Sequence, residues 1–298
     1  MKKLTVFLLA LCLLSGCAAQ TAPAPAATPE PQTEQTAPAE PAAPDTSAVA
    51  DASQMTTVED VVDESMVPVP ASELVNGSYE IAVDCSSSMF KIERCELTVA
   101  DGAMTVELTM GSDAYGYLFP GTAEEAAASD ETRYLTPTER RFAFAVDALD
   151  APVQCAAWSV KKELWYDRTL VFRSDSLPLT AFRSVTTAES LGLADGAYFV
   201  EVTLSGGSGR ASVQSPAALT VADGAATARI VWSSANYDYM LVDGARYDAA
   251  IEDGHSVFEI PVAAFDRPLA VVADTTAMSQ PHEIGYTLSF DSARIAAS

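Results

Sequence analysis

In the second half of the chain, apolar and polar residues alternate in short runs. Tyr198-Phe199-Val200-Glu201-Val202-Thr203-Leu204 is one such run, residues 226–232 and 256–262 are others, and Asp and Gly punctuate the gaps. A period of two sends successive side chains to opposite faces, so each run predicts a strand with one face in a core and one in solvent. The last run is the clearest. Ile284, Tyr286, Leu288 and Phe290 share one parity, while Gly285, Thr287 and Ser289 share the other. Short strands with turn signals every ~8 to 12 residues over about 100 residues predict an all-β, antiparallel, immunoglobulin-like sandwich.

The same pattern occurs twice. Residues 97–103 and 219–225 both read Leu-Thr-Val-Ala-Asp-Gly-Ala, and their offset of 122 (219 − 97) also carries Tyr115 and Tyr117 onto Tyr237 and Tyr239. Further on, Asp150-Ala151-Pro152 answers Asp266-Arg267-Pro268, and Thr169-Leu170-Val171-Phe172 answers Thr287-Leu288-Ser289-Phe290. Drifting offsets mark loop insertions between diverged duplicates. The expected organisation is two tandem sandwiches, 72–173 and 190–292, joined by a linker at 174–189. Features common to both copies, such as the paired tyrosines, are read as shared core packing.

The N-terminal region has a different composition. Met1-Lys2-Lys3 and the apolar run 4–14 have the form of a signal peptide (1–16), too short to span a bilayer. It ends in Leu14-Ser15-Gly16-Cys17, which resembles the lipobox of bacterial lipoproteins, with Cys17 as the lipidated residue. Residues 17–70, rich in Ala, Pro, Thr, Gln and Glu, carry no pattern that buries a face and are expected to form a disordered tether. Its ~50 residues would extend to about 160 Å at most. The expected location is extracytoplasmic, lipid-anchored to the outer face of the bacterial cytoplasmic membrane, with the lipid as the only membrane contact.

The formal charge of −24 argues against nucleic acid, whose phosphates require a basic stripe. It also argues against docking on anionic lipid. Of the cysteines left after the signal, Cys85, Cys95 and Cys155 all lie in the first copy, so at most one disulfide can form there. Cys85 and Cys95, flanking a short loop, are the expected pair. With only His255 and His282, and no Gly-x-Ser-x-Gly, His-Glu-x-x-His or Cys-x-x-Cys, the chain carries no recognisable catalytic motif, and a binding module is expected rather than an enzyme.

The order of elements, and above all residues 271–291 (Val-Val-Ala-Asp-Thr-Thr-Ala-Met-Ser-Gln-Pro-His-Glu-Ile-Gly-Tyr-Thr-Leu-Ser-Phe-Asp), resembles the near-iron-transporter (NEAT) family of surface haem-binding domains. In that family a tyrosine of the last hairpin ligates iron; in a related streptococcal surface haem protein a methionine does. The resemblance therefore implies haem as cofactor, Met278 as iron ligand, and an uptake permease or substrate-binding protein as partner. Met278, His282 and Tyr286 are spaced by four, an even number, so a regular hairpin would turn all three towards the core side. The family's opposite lip corresponds to Ser205-Gly206-Gly207-Ser208-Gly209-Arg210, where Ser208 and Arg210 would hold a propionate. The first copy places Val160 or Lys162 against Met278, depending on register, and Leu164 against His282, so it lacks the site. An adhesion or scaffold lipoprotein binding protein or glycan is the alternative. A weaker rival, Asp84-Cys85-Ser86-Ser87-Ser88, has the Asp-x-Ser-x-Ser form of a metal-dependent adhesion site but belongs to an α/β fold.

Overall fold

A computed structural model describes residues 46–55, 60–62, 66–277 and 282–298. Cys17 and Met278 lie outside the described residues. The fold is an all-β sandwich architecture built from antiparallel strands.

The first repeat contains β1 (Val69–Pro70), β2 (Gly77–Glu80), β3 (Ala82–Cys85), β4 (Ile92–Ala100), β5 (Ala103–Met110), β6 (Tyr115–Phe119), β7 (Arg141–Val146), β8 (Ala148–Leu149), β9 (Pro152–Ser159) and β10 (Leu164–Arg173). The second contains β11 (Gly196–Gly206), β12 (Ala217–Ala222), β13 (Ala225–Val231), β14 (Tyr237–Val242), β15 (Ala245–Asp248), β16 (Ala250–Glu252), β17 (His255–Pro261), β18 (Pro268–Thr275) and β19 (His282–Ala297). Sheets β3-β10-β9-β6 and β2-β4-β5-β7 enclose the first core. In the second repeat β11 is unbroken: its first half pairs with β12 and its second half with β19, which joins the equivalent sheets into one order, β15-β14-β18-β19-β11-β12-β13-β17-β16. Apart from the edge strands β15 and β16 and the β1–β8 pair, the strand order is the same in both repeats.

The shared heptapeptide is a hairpin. Asp101-Gly102 links β4 to β5 and Asp223-Gly224 links β12 to β13, each with both residues at positive φ. A two-residue turn of this hand matches the right-handed twist of its strands, and Asp-Gly tolerates the conformation best. Asp243-Gly244 and Asp253-Gly254 repeat the device in the second copy. The Asp-x-Pro landmark is also structural. Asp150 receives the N–H of Ser174 (3.0 Å) and the Ser174 hydroxyl, and Asp266 receives the N–H (2.8 Å) and hydroxyl (2.6 Å) of Ser292. Each carboxylate thus fixes the chain just beyond Phe172 or Phe290.

Several expected boundaries shift. The segment 174–189 is packed rather than loose: Leu177, Ala181 and Phe182 join the first core, and Ala188 joins the second. Ion pairing of Arg267 with Glu73 (3.2 Å) and the hydrogen bond from Thr287 to Asp175 (3.2 Å) tie the repeats together, and residues 44–298 cluster as one unit. The second repeat runs past residue 292, because β19 continues until Ala296 and Ala297 pair with Phe199 and Tyr198. Described residues within the expected 17–70 tether also pack on the first repeat. Val49 bridges to Trp165, the Ala50 N–H donates to the Trp165 carbonyl (2.9 Å), and β1 pairs with β8.

The expected Cys85–Cys95 disulfide is absent. Cys85 is on β3 beside β10, whereas Cys95 is on β4 between β2 and β5 in the other sheet. Burial pushes the thiols of Cys95 and Cys155 up to about 12, so both behave as small apolar core residues.

Candidate functional site

The hairpin between β18 and β19 carries the residues expected to bind haem. Ser159 pairs with Leu164 in the first repeat and Thr275 with His282 in the second. The offset is therefore 116 on the first strand (275 − 159) and 118 on the second (282 − 164): the second repeat's turn is two residues longer. Met278 falls in that longer turn, outside the described residues, and Leu164 is the counterpart of His282. His282 opens β19 and is exposed.

Tyr286 is a core residue, not an open ligand. Its ring meets Trp232 edge-on at 5.0 Å, Trp232 stacks at 4.1 Å on Tyr237, and the Tyr286 and Tyr237 hydroxyls hydrogen-bond at 3.2 Å. Burial, then the hydroxyl of Tyr237, push the Tyr286 phenol well above the ordinary tyrosine range. Iron ligation needs phenolate, so this environment opposes it. The Trp232 indole N–H points to Met240 Sδ (3.4 Å), which places Met240 in the same plug. These side chains pack together in the second core.

The glycine lip does meet the hairpin. Gly206 pairs with Tyr286, and the Gly207 N–H donates to the Gly285 carbonyl (3.2 Å). Gly207 sits at positive φ so close to the Tyr286 ring that a Cβ there would lie 2.5 Å from it. The glycines thus permit close packing on a tyrosine. Ser208 and Arg210 are exposed on this loop, as a solvent-facing turn would leave them.

Only the first tyrosine of each pair is core. A register irregularity falls between Tyr115 and Tyr117, and again between Tyr237 and Tyr239, so Tyr115 and Tyr237 face inward while Tyr117 and Tyr239 face outward. The outward row differs between copies. Across β6, β9 and β10 it reads Tyr117, Trp158, Trp165; across β14, β18 and β19 it reads Tyr239, Asp274, Glu283. The aromatic row is covered by the helix α1 (Ala123–Ala128) and residues 48–49, with Tyr134 packed on Trp165 at 4.9 Å. A capping box of Thr122 and Glu125 starts that helix.

In the second repeat the same row is acidic. The Tyr239 hydroxyl donates to Glu283 (2.8 Å), Arg246 lies 3.8 Å over the Tyr239 ring, and Asp274 is only 2% exposed with an Oδ2 that has no hydrogen-bond partner. Burial, then the neighbouring carboxyls of Asp238 and Glu283, raise the Asp274 pKa. Asp150 is raised as well, chiefly by burial. A carboxyl whose folded pKa exceeds its unfolded value binds more protons when native, so its contribution to stability falls as pH rises through the folded pKa. Lowering the pH from neutral towards the upper carboxylate range should therefore raise the Tm, and Asp274→Asn should raise the Tm at neutral pH and flatten that dependence. Thermal melts of both proteins across this window check it; an unchanged slope would show Asp274 ionised in both states.

Among the described residues, no group of three His, Cys, Asp or Glu side chains is arranged to hold a metal ion. Asp84 pairs with Arg173 (3.7 Å) and Ser86 Oγ receives the Thr169 N–H (2.8 Å), so the Asp-x-Ser-x-Ser segment serves the sheet edge.

The larger concavity lies between the repeats and takes in Tyr286, the glycine lip and Asp84 among its lining. A groove of about 1360 Å³ runs along the outer face of β14, β18, β19 and β11, opposite Ala82, Asp84 and Arg173 of the first repeat. A recess of about 340 Å³ adjoins it, walled by Leu177, Leu179, Phe182, Ala263 and Leu269. Asp175, Asp243, Arg267 and Pro268 border both. Each arginine is already committed: Arg173 to Asp84 and Asp175, Arg267 to Glu73, the Ser184 carbonyl and the Phe182 ring. No single local motif marks the whole of this site, because residues from both copies build it. Comparison of the chain with models of known protein families and with curated proteins found no match.

Proposed function

We propose that this chain is a non-catalytic surface lipoprotein, anchored through Cys17, whose tandem immunoglobulin-like repeats form an adhesion or scaffold module that takes a protein partner in the cleft between them. The observation that carries this reading is the recess of about 340 Å³ with apolar walls contributed by both repeats. That volume is in the range of ligand pockets. Panning a phage-displayed random peptide library on the immobilised chain tests it, with Ala263→Phe, which fills the recess from its exposed rim, as the comparison. Peptides enriched on the native chain and lost on the variant support the reading; equal enrichment on both, or none on either, defeats it.

A second reading keeps haem for an uptake system. His282 and Tyr286 lie on one face of β19, beside the glycine lip. Because Tyr286 is engaged in the core, the iron would be held by Met278 and His282 at the tip, with Ser208 and Arg210 near the propionates. Haemin titration should then give a saturable Soret shift, lost in Met278→Ala; no saturable shift rejects it.

A further inference from the structure

The inter-repeat cleft joins two kinds of surface. Its recess is apolar, with Leu179 38% exposed at the mouth, and its surroundings are anionic. Asp243 is an exposed turn residue with no ion-pair or hydrogen-bond partner among the described residues, and Asp60, Asp266 and Asp291 also border the groove. Arg173 and Arg267, the cations of the cleft, are bound to carboxylates of this chain. An occupant made only of apolar groups would strip water from these carboxylates without compensation, whereas a cationic occupant would pair with them.

A segment of polypeptide already lies along the groove. Asp60, Val61, Val62, Met66 and Val67, from the chain's own N-terminal segment, line one side of it. That segment carries no basic residue there and leaves the anionic rim unneutralised. From the recess, the unpartnered Asp243 at its border, the further carboxylates along the groove and the polypeptide segment already lying there, we infer that the cleft binds a peptide segment of a partner protein in which an apolar side chain is flanked by lysine or arginine. The apolar side chain enters the recess beside Phe182 and Leu269; the flanking cations face Asp243 and the groove carboxylates. This inference rests on the protein-binding reading above and adds the chemistry of the partner.

The test is fluorescence anisotropy with a fluorescein-labelled Gly-Lys-Leu-Lys-Gly peptide, compared with versions carrying Glu for Lys or Ser for Leu. The native chain should bind the first peptide saturably and lose at least about tenfold in affinity for either control. Asp243→Lys should cost about fivefold or more and Ala263→Phe at least as much, and added salt should weaken binding. Asp223→Lys is the matched control: Asp223 has the same left-handed Asp-Gly turn and charge change but lies outside the cleft. It should change affinity by less than about twofold. Thermal melts confirm that the variants fold. Equal losses in Asp243→Lys and Asp223→Lys would reduce the effect to general attraction by an acidic protein and overturn the site. An ineffective Ala263→Phe, or no saturable binding, would overturn it too. Panning that enriches neutral or acidic peptides lost in Ala263→Phe would sink this inference while leaving the protein-binding reading intact.

Discussion

Trp232→Ala should destabilise the second repeat by ~3–5 kcal/mol, the usual cost of removing a large aromatic side chain from a packed core. Trp232 is fully buried, stacks on Tyr237, meets Tyr286 edge-on and directs its indole N–H at Met240. The mutation removes contacts to two strands at once, because Tyr237 and Met240 are on β14 and Tyr286 is on β19. The cavity would also loosen the Tyr237–Tyr286 hydrogen bond. Urea unfolding followed by near-ultraviolet circular dichroism should show a lower midpoint. A loss under about 1 kcal/mol would mean that this end of the sandwich is open enough to relax, as an entry slot would be. The same experiment therefore bears on the haem reading.

Asp150→Ala should be the most damaging change at a polar residue, at roughly 2–4 kcal/mol, since it combines an orphaned buried donor with an unfavourable backbone conformation. Asp150 sits at φ +51°, is 4% exposed and accepts both the N–H and the hydroxyl of Ser174, itself buried. Alanine can accept neither bond and tolerates the left-handed region less well than aspartate. Asp266→Ala removes the equivalent clamp on Ser292, which is less buried, and should cost clearly less. Asp150→Asn, which keeps an acceptor and the left-handed tolerance, should fall between native and alanine. Chemical denaturation of the three variants checks the order. Equal losses at both sites would assign the effect to backbone strain alone.

The duplication is most informative where the copies disagree. At one row of the outer sheet face, aromatic side chains in the first repeat are replaced by Asp274 and Glu283 in the second. The strand order survives the exchange, so the aromatics answer to the helix α1 packed over them rather than to the sheet. In the second repeat the row carries carboxyls instead, one of which, Asp274, is buried with an oxygen that has no hydrogen-bond partner.

Much of the strand pattern was legible locally. Alternation from Tyr198 to Leu204 and from Ile284 to Phe290 marks strand faces, because side-chain direction in a strand has a period of two. Asp-Gly pairs mark hairpins because few other residues adopt two successive positive-φ conformations cheaply. Parity also placed Tyr286 on the core side of β19. It could not reveal that Trp232 and Tyr237 fill the space around it, since those residues are 54 and 49 positions away in the chain (286 − 232 and 286 − 237). The paired tyrosines misled for a local reason: one extra residue between them turns the second outward, and a two-residue repeat does not register such a bulge. Loop proximity misled likewise for Cys85 and Cys95, whose strands enter different sheets.

By itself, then, the sequence determined many of the strands, their turns, the duplication and the acidic charge, all of which follow from backbone preference and from composition over a few neighbouring residues. Only the tertiary structure decided which aromatics are core, that Cys85, Cys95 and Cys155 form no disulfide, that Val49 and Ala50 dock on Trp165, and that both repeats wall one cleft. These outcomes depend on burial and charge shared by residues distant in the chain, and they exist only once the two cores are packed.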